Sequence, residues 1–122
     1  MKYLCLVYLD EARLNELPDE DCVDFDTSIR QSGHCLASEA LQSVQTATTV
    51  RVRNGKFFVT DGPFAETKEQ LAGFYMIDAA NLDEAIQIAG RIPPARVGSI
   101  EVRPIRPIRE TVSAKKERQE EI

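Results

Sequence analysis

The chain has 122 residues, of which 43% are hydrophobic and 29% charged, and its formal net charge is −5 at pH 7. This length suits a single domain with its own core, and the composition excludes a disordered or fibrous protein. The acidic balance argues against nucleic-acid binding, and no apolar run approaches the roughly 20 residues that cross a bilayer. We therefore expect a cytoplasmic protein with neither nucleic-acid nor membrane partners.

Three cysteines, Cys5, Cys22 and Cys35, are widely spaced and form no CxxC pair. Such spacing predicts reduced thiols rather than a disulfide framework or a structural metal site. The sequence also lacks a glycine-rich phosphate loop, an HExxH motif and a serine elbow. We accordingly predict no metal and no cofactor.

The first predicted element is a strand, Lys2 to Leu9, with apolar residues on both faces. A helix follows from Pro18, whose ring suits the first helical position, to Gly33, which can supply a left-handed C-terminal cap. Phe25 and Ile29, four residues apart, belong to its apolar side.

A short strand over residues 34–39 precedes the clearest local signal, a β-hairpin over residues 46–60. Val50 and Val52 alternate with polar residues, and Asn54–Gly55 forms the turn. One face of the outgoing strand is polar, so we expect the hairpin to flank the main sheet.

A second strand with two apolar faces, Leu71 to Ile77, precedes a helix with Asn81 as N-cap and Glu84 as its reciprocal partner. Pro93–Pro94 ends this helix, and the alternating segment before Pro104 suits an edge strand. The predicted buried side of the helix consists of Leu82, Ala85, Ile86 and Ala89.

The predicted order is strand, helix, strand, hairpin, strand, helix, strand, an α+β ferredoxin-like split βαβ fold with an inserted hairpin. This topology places the two strands with two apolar faces at the centre of the sheet. Two helices cover only one face, and a second copy is the economical cover for the other. We therefore predict a homodimer with packed sheets, in which residues 1–105 form the domain and residues 106–122 a polar C-terminal tail.

Candidate chemistry concentrates in residues 61–69, between the hairpin and the next strand. Asp61 or Glu66 could act as a carboxylate base, and Lys68 could hold an anionic substrate or product. The alternative is a solvated loop whose charges keep the protein soluble. Further candidates for contact with a ligand are Phe64, Thr67, Glu69, Tyr8 and His34.

Three of these candidates have a specific rationale. Phe64 could wall a ligand cleft or anchor the loop to the core. Tyr8 and Tyr75, on the two central strands, could direct hydroxyls into a cleft between packed sheets or be core tyrosines. His34 is the only histidine, so any imidazole chemistry would have to use it.

The string DGPFAETKEQ, residues 61–70, followed by Gly73, Phe74 and Tyr75, resembles the DGPF-domain branch of the YCII-related family. The resemblance covers about residues 1–105. It implies a dimeric α+β barrel, which agrees with the fold predicted from the two-faced strands. The wider family has been proposed to include enzymes with a His and an Asp near a cleft, and DGPF members are often associated with extracytoplasmic-function sigma factor genes.

The sequence departs from this resemblance at the histidine expected in the first helix, which is absent from residues 19–32. The proposed His–Asp pair therefore cannot be transferred to this chain. Our leading hypothesis is a homodimer whose barrel cleft, bordered by residues 61–69, binds a small organic molecule and catalyses an acid–base step. The alternative is a non-catalytic, ligand-sensing or accessory dimer with a sigma-factor-linked partner, and the sequence leaves open whether the protein is an enzyme.

Overall fold

The computed structural model describes residues 1–109, which form a four-stranded antiparallel sheet, two α-helices and a separate hairpin. The strands are β1 (Lys2–Leu9), β2 (Cys35–Ala40), β3 (Thr48–Arg53), β4 (Lys56–Asp61), β5 (Gln70–Asp78) and β6 (Ser99–Pro104). The helices are α1 (Asp19–Gln31) and α2 (Leu82–Gly90), with short 3₁₀ helices at Glu11–Glu16, Val44–Thr46 and Pro93–Arg96. Most of the predicted polar tail, residues 110–122, lies outside the described part of the chain.

The main sheet has the strand order β2-β5-β1-β6, which is compatible with a ferredoxin-like α+β fold. β1 and β5, the two strands with apolar residues on both faces, are central as predicted, and β6 is an edge strand. In the register of these strands, Cys5 lies between Tyr75 and Val102. Side chains of directly opposed residues share a face of the sheet, so these three lie on the same side.

The core lies between this side of the sheet and the two helices. Along β1, the side chains of Tyr3, Cys5, Val7 and Leu9 are buried, whereas those between them are only half-buried. The helices contribute Phe25, Ile29, Ala85, Ile88 and Ala89 to the same cluster.

The predicted buried side of α2 was partly wrong. Leu82 and Ile86 are 48% and 53% exposed, whereas Ile88 and Ile92 are buried. The buried positions 85, 88, 89 and 92 follow a spacing of three and four residues, which defines a stripe rotated from the predicted one.

The hairpin does not flank the main sheet as we expected, because β3 and β4 pair only with each other and form a sheet of their own. Asn54 and Gly55 have positive φ angles of 53° and 74°, as a type I′ turn requires. The base of the hairpin is fixed by hydrogen bonds from Gly62 N to Ala47 O (2.7 Å) and from Thr49 Oγ1 to Gly62 O (2.8 Å). Its strands are otherwise exposed to solvent.

Local signals fix the ends of both helices. Pro18 precedes α1 as its N-cap residue rather than opening it, and Gly33 beyond its C-terminus has a φ of 81°. Asn81 Oδ1 accepts from Glu84 N at 2.9 Å, and Glu84 Oε1 accepts from Ala80 N at 3.1 Å. Neither helix is long enough to cross a membrane, nor is any other helix of residues 1–109.

Candidate functional site

A cavity of about 450 Å³ lies between α1 and the edge of the sheet formed by β2 and β5. It exists because the strands beneath it carry small residues: Ala72 and Gly73 on β5 and Ala40 at the end of β2. Gly73 is required for close pairing of these strands, since a Cβ atom there would lie 2.7 Å from Glu39 O. The volume is within the range of small-molecule sites.

The walls of the cavity are mainly apolar. β1 supplies Val7 and Leu9, α1 supplies Cys22 and Val23, and the 3₁₀ helix before α1 supplies Leu14. Val23 and Leu14 are also exposed to solvent, so they mark the mouth of the cavity. An apolar ligand body would be buried against these side chains.

A hydrogen-bonded cluster of Asp26, Arg30 and Ser38 joins α1 to β2 at the rim. Arg30 Nε donates to Asp26 Oδ2 at 3.0 Å, and Arg30 Nη2 donates to Ser38 Oγ at 2.8 Å. Ser38 Oγ in turn donates to Asp26 Oδ1 at 3.2 Å. Both oxygens of the Asp26 carboxylate therefore have partners, and the cluster fixes its orientation.

Tyr75 lies in the wall of the cavity, where its ring packs edge-on against Phe25 with centroids 5.3 Å apart. Burial, and then the neighbouring Asp26 carboxylate, raises the pKa of Tyr75 to about 12. The side chain is thus a neutral phenol at physiological pH, and within the described residues its hydroxyl makes no hydrogen bond. It is available to a ligand.

The thiol of Cys22 has its pKa raised by burial and then by the negative charges of Asp19 and Asp21. It is protonated at neutral pH, which makes it a poor nucleophile. The charged side chains on the helix side of the sheet that line the cavity are two carboxylates, Asp19 and Asp26, and one guanidinium, Arg30, whereas Glu39 is opposite Phe74 and contributes only backbone. The cavity is therefore electronegative as well as apolar.

The loop residues predicted as catalytic do not line this cavity. Asp61, Glu66 and Lys68 are exposed, and Phe64 is 79% exposed. The end of the loop is fixed, because Glu69 Oε1 accepts from Ser99 Oγ at 2.8 Å. Thr67 Oγ1 donates to Glu69 O, and Gln70 Nε2 donates to Thr67 O at 2.8 Å.

The other predicted ligand contacts are also apart from the cavity. Tyr8 alternates with buried Val7 and Leu9, so it lies on the face of the sheet away from the helices. His34 Nδ1 lies 2.8 Å from Asp78 O and 3.6 Å from Glu84 Oε1. His34 lies beside Asp78 at the C-terminal end of β5, whereas residues 61–69 precede Gln70 at its N-terminal end. Within a single chain, His34 is therefore far from residues 61–69.

The sequence left two alternatives for Tyr75, a hydroxyl that projects into a cleft between packed sheets or a core tyrosine. Its position opposite Cys5 places it on the helix side instead, with the cavity. Asp26, Arg30 and Ser38 were not predicted as site residues. Two features of the sequence could have indicated this site. Asp26 and Arg30 are four residues apart and so lie on one face of the helix, and β5 carries small residues.

Within residues 1–109, no group of three or more His, Cys, Asp or Glu side chains is placed to hold a metal ion. The cysteines are free, with Cys5 buried and the other two partly buried. A second cavity of about 400 Å³ lies between α1 and the end of α2, where Arg96 Nη2 binds Asp21 Oδ2 at 2.8 Å. That ion pair satisfies two of the four charged residues at this cavity, the others being Asp24 and Arg91.

Comparison with known proteins identifies the family. The YCII-related domain matches residues 1–109, which is all of the described part of the chain. An uncharacterized protein of Rhizobium meliloti (strain 1021) is 40% identical over 114 residues, covering 86% of this chain and 92% of that protein. The resemblance seen around the DGPF string thus extends over the whole fold, and this chain belongs to the YCII-related domain family.

Proposed function

We propose that this protein binds a small organic molecule with an apolar body and a cationic or neutral polar head in the cavity between α1 and the sheet. The observation that carries this proposal is the combination of a 450 Å³ apolar cavity with two carboxylates, Asp19 and Asp26, and one guanidinium, Arg30, at its margin, which leaves a net negative charge there. A carboxylate head would be repelled there, whereas an ammonium head would be attracted.

The groups at the cavity favour binding over catalysis. Asp26 is held by Arg30 and Ser38, so it is poorly placed to accept a substrate proton. Cys22 and Tyr75 are both protonated at neutral pH, because their pKa values are raised. Of the two sequence hypotheses, these features favour the non-catalytic, ligand-sensing one; a sigma-factor-linked partner stays a prediction.

The acid–base role predicted for Asp61, Glu66 and Lys68 requires that another surface bury at least one of the two carboxylates. In a single chain these side chains are exposed. The loop therefore enters the experiment below as the competing location for a ligand.

The functional unit that we propose is a homodimer. The helices cover one face of the sheet, and the opposite face carries Leu4, Leu6, Phe74 and Met76, which are only half-buried. The hairpin forms a separate sheet whose own residues are almost all exposed. Packing against a second copy would remove this surface from water, with about 25 cal/mol gained per Å² of apolar area.

The test uses three probes of equal length, octylamine, octanol and octanoate, titrated into the full chain and followed by NMR amide shifts and calorimetry. We expect octylamine to bind most tightly and octanoate least. The largest shifts should occur at residues of the cavity wall, such as Val7 and Tyr75. Absence of binding by every probe would refute the proposal.

Three matched variants locate the site. Asp26→Asn should weaken octylamine binding about three- to tenfold while leaving octanol binding nearly unchanged, because it removes a negative charge and leaves the Arg30 guanidinium without its partner carboxylate. Asp83→Asn, an exposed residue of α2, is the control. If Asp61→Asn weakens binding and Asp26→Asn does not, the site is at the loop and the cavity proposal is wrong.

A further inference from the structure

The phenol of Tyr75 adds a polar group to a cavity wall that is otherwise mainly apolar. The side chain is half-buried, and within residues 1–109 its hydroxyl makes no hydrogen bond. In the same part of the chain, no enclosed side-chain oxygen or nitrogen lacks a hydrogen-bond partner. The Tyr75 hydroxyl is therefore not enclosed by protein. Because this side chain lines the cavity, the open space next to the hydroxyl is the cavity itself.

Strand pairing places Tyr75 beside the polar cluster at the rim. Tyr75 is directly opposite Ser38 in the register of β2 and β5. Directly opposed residues share a face of the sheet, with Cβ atoms about 5 Å apart. Ser38 Oγ donates to Asp26 Oδ1 at 3.2 Å, so the neighbour of Tyr75 in the sheet also holds the carboxylate. The phenol and the carboxylate thus border the same part of the cavity.

Contacts with α1 agree with this placement. The ring of Tyr75 packs edge-on against Phe25, the residue that immediately precedes Asp26 in the helix. Burial is the largest cause of the raised pKa of Tyr75, and the Asp26 carboxylate is the charged group that contributes most to it. The phenol therefore keeps its proton at neutral pH and is a hydrogen-bond donor.

Asp26 and Tyr75 offer complementary hydrogen-bonding groups to a ligand. An ionised carboxylate only accepts, whereas a neutral phenol donates. The Asp26 oxygens already accept from Arg30 and Ser38, but a carboxylate has about four acceptor positions, so each oxygen can accept once more. A matching head group has N–H donors for the carboxylate and an oxygen for the phenol. Since both protein groups border the same part of the cavity, the two ligand groups belong on neighbouring carbons.

We propose that the ligand is a 1,2-amino alcohol with an alkyl chain, whose ammonium group binds Asp26 and whose hydroxyl oxygen accepts from the Tyr75 hydroxyl. The alkyl chain lies against the apolar wall formed by Val7, Leu9 and Val23. Tyr75 then selects for the oxygen of the ligand, and Asp26 selects for its charge. The inference rests on the proposed function, because it names the ligand class of the same cavity.

The test compares three amines with the same eight-carbon chain: octylamine, 2-hydroxyoctylamine and 8-hydroxyoctylamine. Each is titrated into the full chain by calorimetry, with the two enantiomers of 2-hydroxyoctylamine measured separately. We expect its better enantiomer to bind about three- to tenfold more tightly than octylamine, because one hydrogen bond is added. The isomer 8-hydroxyoctylamine should bind no more tightly than octylamine, since its hydroxyl is at the other end of the chain from the amino group.

Tyr75→Phe removes only the hydroxyl. It should abolish the advantage of 2-hydroxyoctylamine and leave the affinity for octylamine within about twofold of the wild type. Tyr3→Phe is the matched control, because the Tyr3 hydroxyl donates to Met1 Sδ and does not line the cavity. This variant should retain the advantage. Since the Tyr75 hydroxyl makes no hydrogen bond within residues 1–109, Tyr75→Phe should also melt within about 2 °C of the wild type.

NMR locates the head of the bound ligand. We expect nuclear Overhauser effects between the proton on the hydroxyl-bearing carbon of 2-hydroxyoctylamine and the ring of Tyr75. The same proton should give none to the ring of Tyr8, which lies on the other face of the sheet. Contacts to Tyr8 instead of Tyr75 would overturn the inference.

The titrations separate this inference from the proposed function. If octylamine binds and 2-hydroxyoctylamine has no advantage, the inference is wrong and the proposed function stands. If Tyr75→Phe weakens both amines equally, the phenol binds the ammonium group rather than an oxygen, which also overturns the inference. Absence of binding by all three amines would refute the proposed function together with the inference.

Discussion

Arg30 of α1 donates a hydrogen bond through Nη2 to Ser38 Oγ of β2 at 2.8 Å. This contact joins the helix to the edge strand at the rim of the cavity. Ser38 also donates to Asp26, so one hydroxyl connects both charged members of the cluster. The bridge supplements the core packing of Phe25 and Ile29, which holds α1 on the sheet.

Replacing the bridge should cost little stability. Ser38→Ala removes two partly exposed hydrogen bonds, and we expect the free energy of unfolding to fall by about 0.5–1.5 kcal/mol. Urea denaturation measures the change. Ser28→Ala, an exposed serine of α1, serves as the control and should change stability by less than about 0.5 kcal/mol. A loss above about 3 kcal/mol for Ser38→Ala would mean that the cluster is a folding element rather than part of a binding site.

Alkaline pH should destabilise the protein through Cys5. Burial raises the pKa of its thiol from 9.0 to about 11. Between these values the unfolded chain loses the proton while the folded chain retains it, so stability present below pH 9 is lost as the pH rises to 11. The loss amounts to roughly 2–3 kcal/mol.

Denaturation curves at pH 8, 9, 10 and 11 test this dependence. Tyr75 adds a second loss above pH 10, since its pKa is raised to about 12. The contribution of Cys5 is therefore obtained from the difference between the wild type and Cys5→Ala, which should be less stable at pH 8 and have a shallower decline. Parallel curves for the two proteins would contradict the assignment.

Gly98 should tolerate no side chain. A Cβ atom there would lie 2.1 Å from Tyr8 O and 2.9 Å from the Leu9 Cβ, and neither neighbour is a flexible side-chain end. We expect Gly98→Ala to destabilise the protein by about 2–4 kcal/mol, because backbone must shift at the end of a central strand. Gly90→Ala is the control: nothing lies within 4 Å of its Cβ position, so it should be neutral or stabilise α2 by up to about 1 kcal/mol.

The fold was largely predictable because its determinants are periodic or local. β1 and β5 are apolar on both faces, so both faces of each strand need burial. The centre of the sheet provides that burial, and both strands lie there. The Asn54–Gly55 turn and the Asn81 cap are set by neighbouring residues. By contrast, the buried side of α2 depends on how the helix is rotated on the sheet, so Ile88 could not be separated from Ile86 by spacing alone.

The cavity could not be predicted in the same way. Its rim combines Asp26 and Arg30 of α1 with Ser38 of β2, and their meeting depends on the packing of a helix on a sheet edge. The density of charge in residues 61–69 was the stronger sequence signal, yet charge density does not report burial. Tyr75 illustrates the point, since its place in the cavity wall follows from a register that only the paired strands reveal.

The last prediction concerns the face of the sheet away from the helices. Leu6 lies at its centre, opposite Phe74 and Glu101 on the two neighbouring strands. If two copies pack through this face, Leu6→Lys would bring one ammonium group from each copy into the apolar interface, where its desolvation costs several kcal/mol even with the Glu101 carboxylate on the neighbouring strand. We expect the wild type to have twice the chain mass by light scattering at micromolar concentration, and Leu6→Lys to have the chain mass itself with retained circular dichroism. Leu82→Lys introduces the same charge at an exposed leucine of α2 and should stay dimeric. A monomeric wild type, or equal behaviour of the two variants, would contradict dimerisation through this face.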